Sequence, residues 1–401
     1  MSTRTDRPPS PSRRASIGFR AVAAVYVLAM LGGTLPVPLY VLWAPRMGFG
    51  PFTTTAIFAI YAVGVAVALL LFAPMSDRAG RRPLLLVSLV ALAASTACFL
   101  AAHDVAMLLL ARFLYGIATG VITATATAAL EELAGPGRAR TASMTASGAN
   151  LGGLALGTVV AGVFAEFAPD PTHLVYWCYL GTLVPATVAI VATPETVRAP
   201  RSFAVAVRRP AMPAGSGPRR QFLSAAAAVF AAFAVNGLFS SLVPGFLRDG
   251  MHVRSAVAVG AEVGLLFAVA LAAQLVPPAR WPASHPLFAP VALVVGVAVF
   301  ETGLWTHSLP AFVTGTVFAG IGAGLVFRQG IAVTAGLAVP GRRADLFASY
   351  FLAAYAGLIG PTLLLGLLDQ VLDQNIATLL LAAGVGGIAL AAAGTRGKEE
   401  S

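Results

Sequence analysis

Long apolar segments alternate with short polar ones along nearly the whole of this 401-residue chain. The apolar segments run for roughly 20 residues or more, which is the length that a helix needs to cross a bilayer. Twelve such segments can be counted, so the pattern predicts an all-α membrane protein. The predicted spans are residues 18–43, 52–75, 84–102, 106–132, 145–168, 174–193, 222–247, 255–276, 286–305, 309–335, 346–369 and 375–394.

One long interior stretch is not apolar, and it separates the spans into two groups of six. Residues 194–221 are rich in Pro, Arg and Gly, which is typical of a flexible linker. The predicted organisation is therefore a tail at 1–17, a six-helix half at 18–193, the linker, a second half at 222–394 and a tail at 395–401.

Short matches between the two groups of spans predict an internal repeat. Pro38 aligns with Pro244, Gly116 with Gly320 and Gly157 with Gly360, at offsets of 206, 204 and 203 residues. The offsets are nearly constant, and they relate spans 1, 4 and 5 to spans 7, 10 and 11. The sequence therefore predicts two pseudo-symmetric six-helix halves.

Composition excludes an ordinary soluble protein, and the charges predict an orientation. The chain is 58% hydrophobic and 10% charged, against about 25% charged in soluble proteins. Of 26 Lys and Arg residues, 21 fall in or beside the tails and the loops on one side, and three fall on the other. Bases mark the cytoplasmic side, so we expect both termini there. The excess of Arg over Lys favours a bacterial source, and hence a bacterial plasma membrane.

The polar turn between spans 2 and 3 carries the most specific motif. It reads Ala73-Pro74-Met75-Ser76-Asp77-Arg78-Ala79-Gly80-Arg81-Arg82. This resembles the signature loop of the major facilitator superfamily of secondary transporters, with Ala73 in place of the usual first glycine. The resemblance covers most of the chain and implies two six-helix halves that rock about a central site. It also implies that Asp77, Arg78, Gly80, Arg81 and Arg82 latch the halves in the outward-open state. The alternative is that the arginines only anchor the topology.

Two arginines fall inside predicted spans, where insertion of a charge costs at least ~2.5 kcal/mol. Arg112, with Tyr115 and Gly116, resembles a second superfamily motif that usually has Gln at the Tyr115 position. That resemblance implies a role in proton transfer or substrate binding, and the alternative is snorkelling to the outer interface. Arg328 lies in the inner half of span 10, where it could line the cavity or form part of an inner gate. The alternative is that its side chain extends to the cytoplasmic headgroups or forms an ion pair with another helix.

Small residues in span 5 and its repeat partner span 11 predict close helix packing. Gly153, Gly157 and Gly162 in span 5, with Gly360 and Pro361 in span 11, would let helices approach and rock. The Gly153-x-x-x-Gly157-Thr158 spacing resembles the superfamily's helix-5 antiporter motif, although Thr158 replaces its proline. The alternative is generic tight packing.

Proton coupling needs an acid that can bind a proton inside the protein, and Glu262 in span 8 is the clearest buried candidate. The alternative is a protonated or paired structural acid. Polar groups of a largely apolar pocket could come from Tyr40, Asn236, Tyr350 and Tyr355. In relatives, spans 1, 4, 7 and 10 line the cavity, which favours Tyr40 and Asn236.

These features predict a secondary active transporter that works by alternating access. We expect proton-coupled efflux of a small, mainly apolar drug or metabolite by a monomer in the lipid bilayer, without metal, cofactor or nucleic-acid partner. The alternative is uptake of a small anionic metabolite by ion symport, with Arg112 and Arg328 holding the anion. A membrane sensor would need an added soluble domain, and no segment is long enough for one. We find no phosphate loop, nucleophile constellation or metal cluster, so we do not expect an enzyme.

Overall fold

The structure is a computed structural model that describes residues 12–197, 210–276, 287–339 and 342–397, without the side chains of residues 73, 74, 77, 344 and 395–397. The predicted tail before residue 12, residues 198–209 of the linker and the last four residues therefore lie outside the described residues.

Within these ranges, twelve helices are long and apolar enough to cross a membrane, and the regular secondary structure is entirely helical. The predicted all-α, twelve-span fold is confirmed. The spans are Arg13–Met47, Pro51–Leu71, Arg81–Leu100, Val105–Ala134, Ala139–Phe167, Pro171–Val191, Ser216–Gly250, Ala256–Leu275, Phe288–Thr306, Leu309–Leu337, Asp345–Leu368 and Gln374–Gly394.

Several boundaries differ from the predicted ones, for reasons that involve proline and glycine. Span 1 changes to a short 3-10 turn at Val37–Leu39, because Pro36 before it and Pro38 within it have no N–H to continue the helical hydrogen bonds. Span 2 ends at Leu71, and a separate short helix, Ala73–Ala79, follows it. Span 7 begins at Ser216, six residues before the predicted start, so the linker is shorter than the predicted 194–221.

Large apolar side chains cover the outer surface of the bundle. Val87, Val90, Val184 and Val188 are each at least 58% exposed, and they recur at spacings of three or four residues within their helices. Such a stripe lies on one helix face. In water these faces would be costly, whereas in a bilayer they contact lipid.

Two seams join the halves. Span 5 packs along span 8, and span 2 packs along span 11. The repeat relates span 2 to span 8 and span 5 to span 11, so the two seams are pseudo-symmetric equivalents. Because twelve crossings return the chain to its starting side, both ends of the described chain lie at one face, which we call the terminal face; the other is the opposite face.

The halves are packed together towards the opposite face. Val37 and Phe58 of the first half belong to the buried apolar cluster of the second half. A methyl group added at Gly162 would overlap the backbone at Ala256, and one added at Gly366 would overlap the Thr55 side chain. Both contacts lie near the ends of spans that point away from the terminal face, so this side is closed.

Candidate functional site

Polar and aromatic side chains of both halves meet between the seams. The Asn150 amide donates to the Tyr26 hydroxyl over 2.9 Å, and the side chains of Thr123 and Thr127 lie near this hydroxyl. Tyr355 of span 11 lies near Tyr26 of span 1 and near Tyr61 of span 2. Spans 1, 2, 4, 5 and 11 thus contribute to one region.

Span 7 adds an aromatic wall and a free amide to this region. The Phe233 ring meets the Tyr355 ring edge-on at 5.8 Å. Asn236, one turn later, is partly exposed and makes no hydrogen bond with a described residue. We call Tyr26, Tyr61, Phe233, Asn236 and Tyr355 the central site. Asn236 and Tyr355 are among the polar groups that the sequence predicts for the pocket. Tyr26, Tyr61 and Phe233 are not, because aromatic residues in a span are usually packing residues and nothing local distinguishes these three.

Tyr40 lies elsewhere, and its predicted place in the cavity is wrong. It is 3% exposed and packs beside Trp43. Trp43 in turn stacks on Phe99 and Tyr176 at 6.0 Å from each ring. These aromatic rings come from spans 1, 3 and 6, so Tyr40 belongs to the core of the first half.

Arg112 is completely buried in the first half. Its Nη1 donates to the Gly33 carbonyl over 2.7 Å, its Nε lies 3.4 Å from the Ile57 carbonyl oxygen, and its guanidinium lies 4.5 Å from the Tyr61 ring centroid. Carbonyl dipoles and a ring face stabilise the cation. The snorkelling alternative does not hold, because this side chain reaches no interface. It connects spans 1, 2 and 4 just behind Tyr61 of the central site.

Tyr115 also ties helices within the first half. Its hydroxyl donates to the Ala29 carbonyl over 2.9 Å and lies 2.7 Å from the Tyr179 hydroxyl. Tyr179 itself reaches the Leu28 carbonyl. These contacts join spans 1, 4 and 6. Tyr115 is 1% exposed, so the residue that replaces the family's glutamine has a packing role.

Glu262 is buried, with a hydroxyl as its described partner. The Thr316 Oγ lies 2.6 Å from Glu262 Oε1 and 3.0 Å from the Phe312 carbonyl oxygen. Gly260 and Gly264 flank Glu262 and pack against span 5 across the seam. Glu262 is therefore an acid without a described cationic partner, on a helix that contacts the other half.

Glu301 of span 9 has a similar environment at a different place. Thr378 of span 12 donates to it over 3.3 Å, and the acid is 8% exposed. It lines a small apolar pocket between spans 7, 9 and 12. This pocket lies within the second half, away from both seams.

Arg328 caps a helix end at the terminal face. Its Nη1 lies 3.1 Å from the Gln274 carbonyl oxygen and 2.9 Å from that of Val276, at the C-terminus of span 8. A cation at this end meets unpaired carbonyls and the negative end of the helix dipole. Arg328 therefore ties span 10 to span 8.

The signature loop is fastened within the first half. Gly80 has a φ of +102°, a conformation that glycine adopts without strain. The Arg81 Nη2 forms a 2.8 Å ion pair with Glu132 at the end of span 4, and its Nη1 donates to Ser76. Arg78 is exposed and Arg82 is half-buried, whereas the Asp77 side chain lies outside the described residues.

Glu195, just after span 6, completes this arrangement and was not predicted. Its carboxylate accepts the backbone N–H of Arg81 over 2.9 Å and that of Arg82 over 3.0 Å. A helix start offers unpaired N–H groups that favour a negative charge. The only signal in the sequence was one acid at the linker boundary, 114 residues from its partner.

The span 5 glycines approach two different helices. Methyl groups added at Gly153 or Gly157 would overlap span 1, at Val27 and Leu31, whereas Gly162 faces span 8. Gly360 was predicted to pack closely, but a methyl group there would meet nothing. The close contact of span 11 with span 7 is made at Gly357 instead, one turn away. Pro361 is buried within an uninterrupted helix.

No group of His, Cys, Asp and Glu suited to a metal occurs among the residues that the structure describes. The chemistry of the central site is that of hydroxyls, one amide and aromatic faces.

The family model of the Major Facilitator Superfamily matches residues 22–299, which is more than half of the chain. The chain therefore belongs to this superfamily, as the signature loop predicted. It is a multi-pass membrane transporter rather than an enzyme. No curated protein matches the sequence.

Solved transporters share the fold over nearly the whole chain. The human organic anion transporter MFSD10 (TETRAN) is 20% identical, with a TM-score of 0.65, and the match covers 97% of this chain and 100% of that one. A bacterial homologue of the human lysosomal transporter Spinster, inward-facing and unoccupied, is 15% identical, with a TM-score of 0.68 and coverage of 96% and 95%. The nucleoside transporter NupG is 11% identical, with a TM-score of 0.73 and coverage of 94% and 99%.

Proposed function

We propose that this transporter exports a small, mainly apolar organic compound across a bacterial plasma membrane in exchange for protons. The terminal face, which carries most of the basic residues, would lie in the cytoplasm. The protein would work as a monomer, since each chain contains both halves and a site between them.

The central site supports an apolar substrate with few hydrogen-bonding groups. Phe233, Tyr61 and Tyr355 offer aromatic surface, and Asn236 offers a free amide. Sites for small organic molecules are mostly apolar, with a few polar groups that fix orientation. The buried guanidinium of Arg112 lies behind Tyr61 rather than in the central site.

The contact between Glu262 and Thr316 is the observation that carries proton coupling. A threonine hydroxyl has one hydrogen. When Glu262 is ionised, Thr316 can donate to it; when Glu262 is protonated, the acid can donate to Thr316, which then donates to the Phe312 carbonyl. Glu262 keeps a hydrogen bond in both states, as a proton carrier requires.

The position of Glu262 suggests how its protonation would affect the halves. Gly260 and Gly264 bring its helix against Thr158 and Ala155 of span 5. Glu262 itself points from the other side of this helix to Thr316 of span 10. A change in its charge would therefore alter the packing of spans 8 and 10 and reach the seam through span 8. The signature loop would stabilise the conformation in which the terminal face is closed. In that conformation Asp77, Arg78 and Arg82 would contact the second half.

Uptake of a small anion is the second candidate. One nitrogen of the buried Arg112, Nη2, has no hydrogen-bond partner among the described residues, and one structural neighbour is described as an organic anion transporter. Against this, the bonded nitrogens of Arg112 and Arg328 already contact backbone carbonyls, so neither guanidinium is fully available to hold a substrate.

The test is drug susceptibility of an efflux-deficient bacterium that expresses the protein, across lipophilic cations, neutral antibiotics and organic anions. We expect resistance to at least one mainly apolar compound to rise several-fold and to vanish with a protonophore. Glu262→Gln should abolish that resistance, because an amide cannot carry the proton.

Glu301→Gln is the matched control, since Glu301 is equally buried and also accepts from a threonine, but lies away from the seams. It should keep the resistance at matched expression. Full resistance in Glu262→Gln would remove Glu262 from coupling. No resistance to any compound, together with uptake of an organic anion that Arg112→Lys abolishes, would favour the second candidate.

A further inference from the structure

One half of the molecule completes a helix start of the other half. Glu166, at the end of span 5, accepts from the Ser255 hydroxyl over 2.7 Å and from the Val257 backbone N–H over 2.9 Å. Ser255 precedes span 8, so both bonds cross the seam at the opposite face.

These bonds satisfy groups that span 8 cannot satisfy alone. The first N–H groups of a helix have no partner within it. The Ser255 hydroxyl accepts one of them, from Ala258, over 3.2 Å, and Glu166 supplies the acceptor for Val257. A carboxylate is favoured at this place because the helix N-terminus is partly positive.

The equivalent seam lacks this arrangement. Asp369, 203 residues after Glu166, occupies the same repeat position at the end of span 11. One of its oxygens is buried without a hydrogen-bond partner among the described residues. Burial, and then the neighbouring Asp373, raise the pKa of the Asp369 carboxyl. The start of span 2, which Asp369 would cap, has fewer hydrogen-bond donors, since Gly50 has no side chain and Pro51 has no N–H.

We propose that Glu166 is a gating residue that holds the opposite face closed by capping span 8. When the seam between spans 5 and 8 opens, Glu166 must leave both donors, so the cap stabilises one conformation of the transport cycle only. Asp369, without donors, contributes no such stabilisation. The proposal rests on alternating access, which belongs to the proposed function, but not on the substrate or on protons.

The experiment measures access to the central site from each face. Asn236→Cys provides the reporter in a background with Cys98→Ala and Cys178→Ala. A membrane-impermeant maleimide is applied to intact cells and to inverted vesicles, without substrate. Under the proposed orientation, the cells expose the opposite face and the vesicles the terminal face.

Glu166 is exposed, so water partly replaces the bonds it loses. Glu166→Ala should therefore raise labelling in cells by only a few-fold, and should lower it in vesicles. Asp369→Ala, the same truncation at the equivalent position, should not raise labelling in cells. Glu166→Gln, which keeps acceptors but loses the charge, should fall between parent and Glu166→Ala.

Unchanged labelling in Glu166→Ala would overturn the proposal, because the cap would then not hold the opposite face closed. An equal rise in Asp369→Ala would also overturn it, because the rise would then follow from any truncation at the end of span 5 or span 11. The readout needs no transport. Efflux is therefore measured separately, with the wild-type protein. No efflux by the wild-type protein, together with the expected labelling pattern in the reporter variants, would remove the proposed function and leave the gating residue in place.

Discussion

At the scale of single residues, Arg112 shows how a charge is kept inside a membrane protein without an ionic partner among the described residues. It bonds to carbonyls of spans 1 and 2 and lies against Tyr61. Because guanidinium donors spread over a planar fork, one side chain can reach two helices. We therefore infer that Arg112 mainly holds the helices of the first half together. Its contact with Tyr61 also helps to position that residue of the central site.

Arg112→Lys should lower the free energy of unfolding in detergent by about 1–3 kcal/mol, because one ammonium cannot make both carbonyl contacts. Chemical unfolding of the purified protein measures this change. The spectrum of exported compounds should stay the same. Normal stability with altered substrate preference would show that Arg112 contacts the substrate directly.

Glu195→Ala should expose the start of span 3. The backbone N–H groups of Arg81 and Arg82 lose their acceptor, so their hydrogen exchange should speed up by roughly tenfold. Mass-spectrometric exchange measures it on the peptide that covers this turn. Glu131→Ala removes an exposed acid of the neighbouring helix end, and it should leave exchange at this turn unchanged.

A site residue can be predicted from the sequence only where neighbouring residues in the chain distinguish it. Glu262 could be found because an acid within twenty apolar residues is conspicuous. The surroundings of Arg112 and Tyr40 could not, because they depend on the rotation of each helix about its axis, which is set by packing with helices far away in the chain. Glu195 depends on a partner that is likewise distant.

At the scale of helices, small residues decide which pairs come close. Gly157 faces span 1, where an added methyl group would overlap Leu31 and Thr34, whereas its repeat equivalent Gly360 faces open space. Sequence alone gave the two positions equal weight, since the repeat relates them and both are glycine. The existence of twelve helices was predictable from hydrophobic length, but the contacts between them were not.

Gly157→Ala should therefore destabilise the protein by about 1–3 kcal/mol through overpacking. Gly360→Ala should leave stability unchanged within about 0.5 kcal/mol or raise it slightly, as alanine favours helices over glycine. Unfolding of the two variants side by side in one detergent measures both values. Equal losses would mean that the packing of spans 1 and 5 differs from the structure.

At the scale of the whole molecule, the two halves resemble each other in fold and differ in chemistry. The first half holds the buried cation Arg112, whereas the second holds the buried acids Glu262 and Glu301. The halves are closed at the opposite face through the two seams, where Glu166 makes its bonds to span 8. The second half would carry the proton, and both halves would share the gate. Proton movement would in this way be coupled to the opening of the gate.

If a proton on Glu262 drives export through the central site, transport into proteoliposomes should depend on an imposed pH gradient. We expect the wild-type protein to accumulate the exported compound against its own gradient when the pH gradient is present. Glu262→Gln should lose this accumulation and yet keep exchange of the compound down its own gradient. Accumulation by Glu262→Gln at the wild-type level under the same pH gradient would show that Glu262 does not carry the coupling proton.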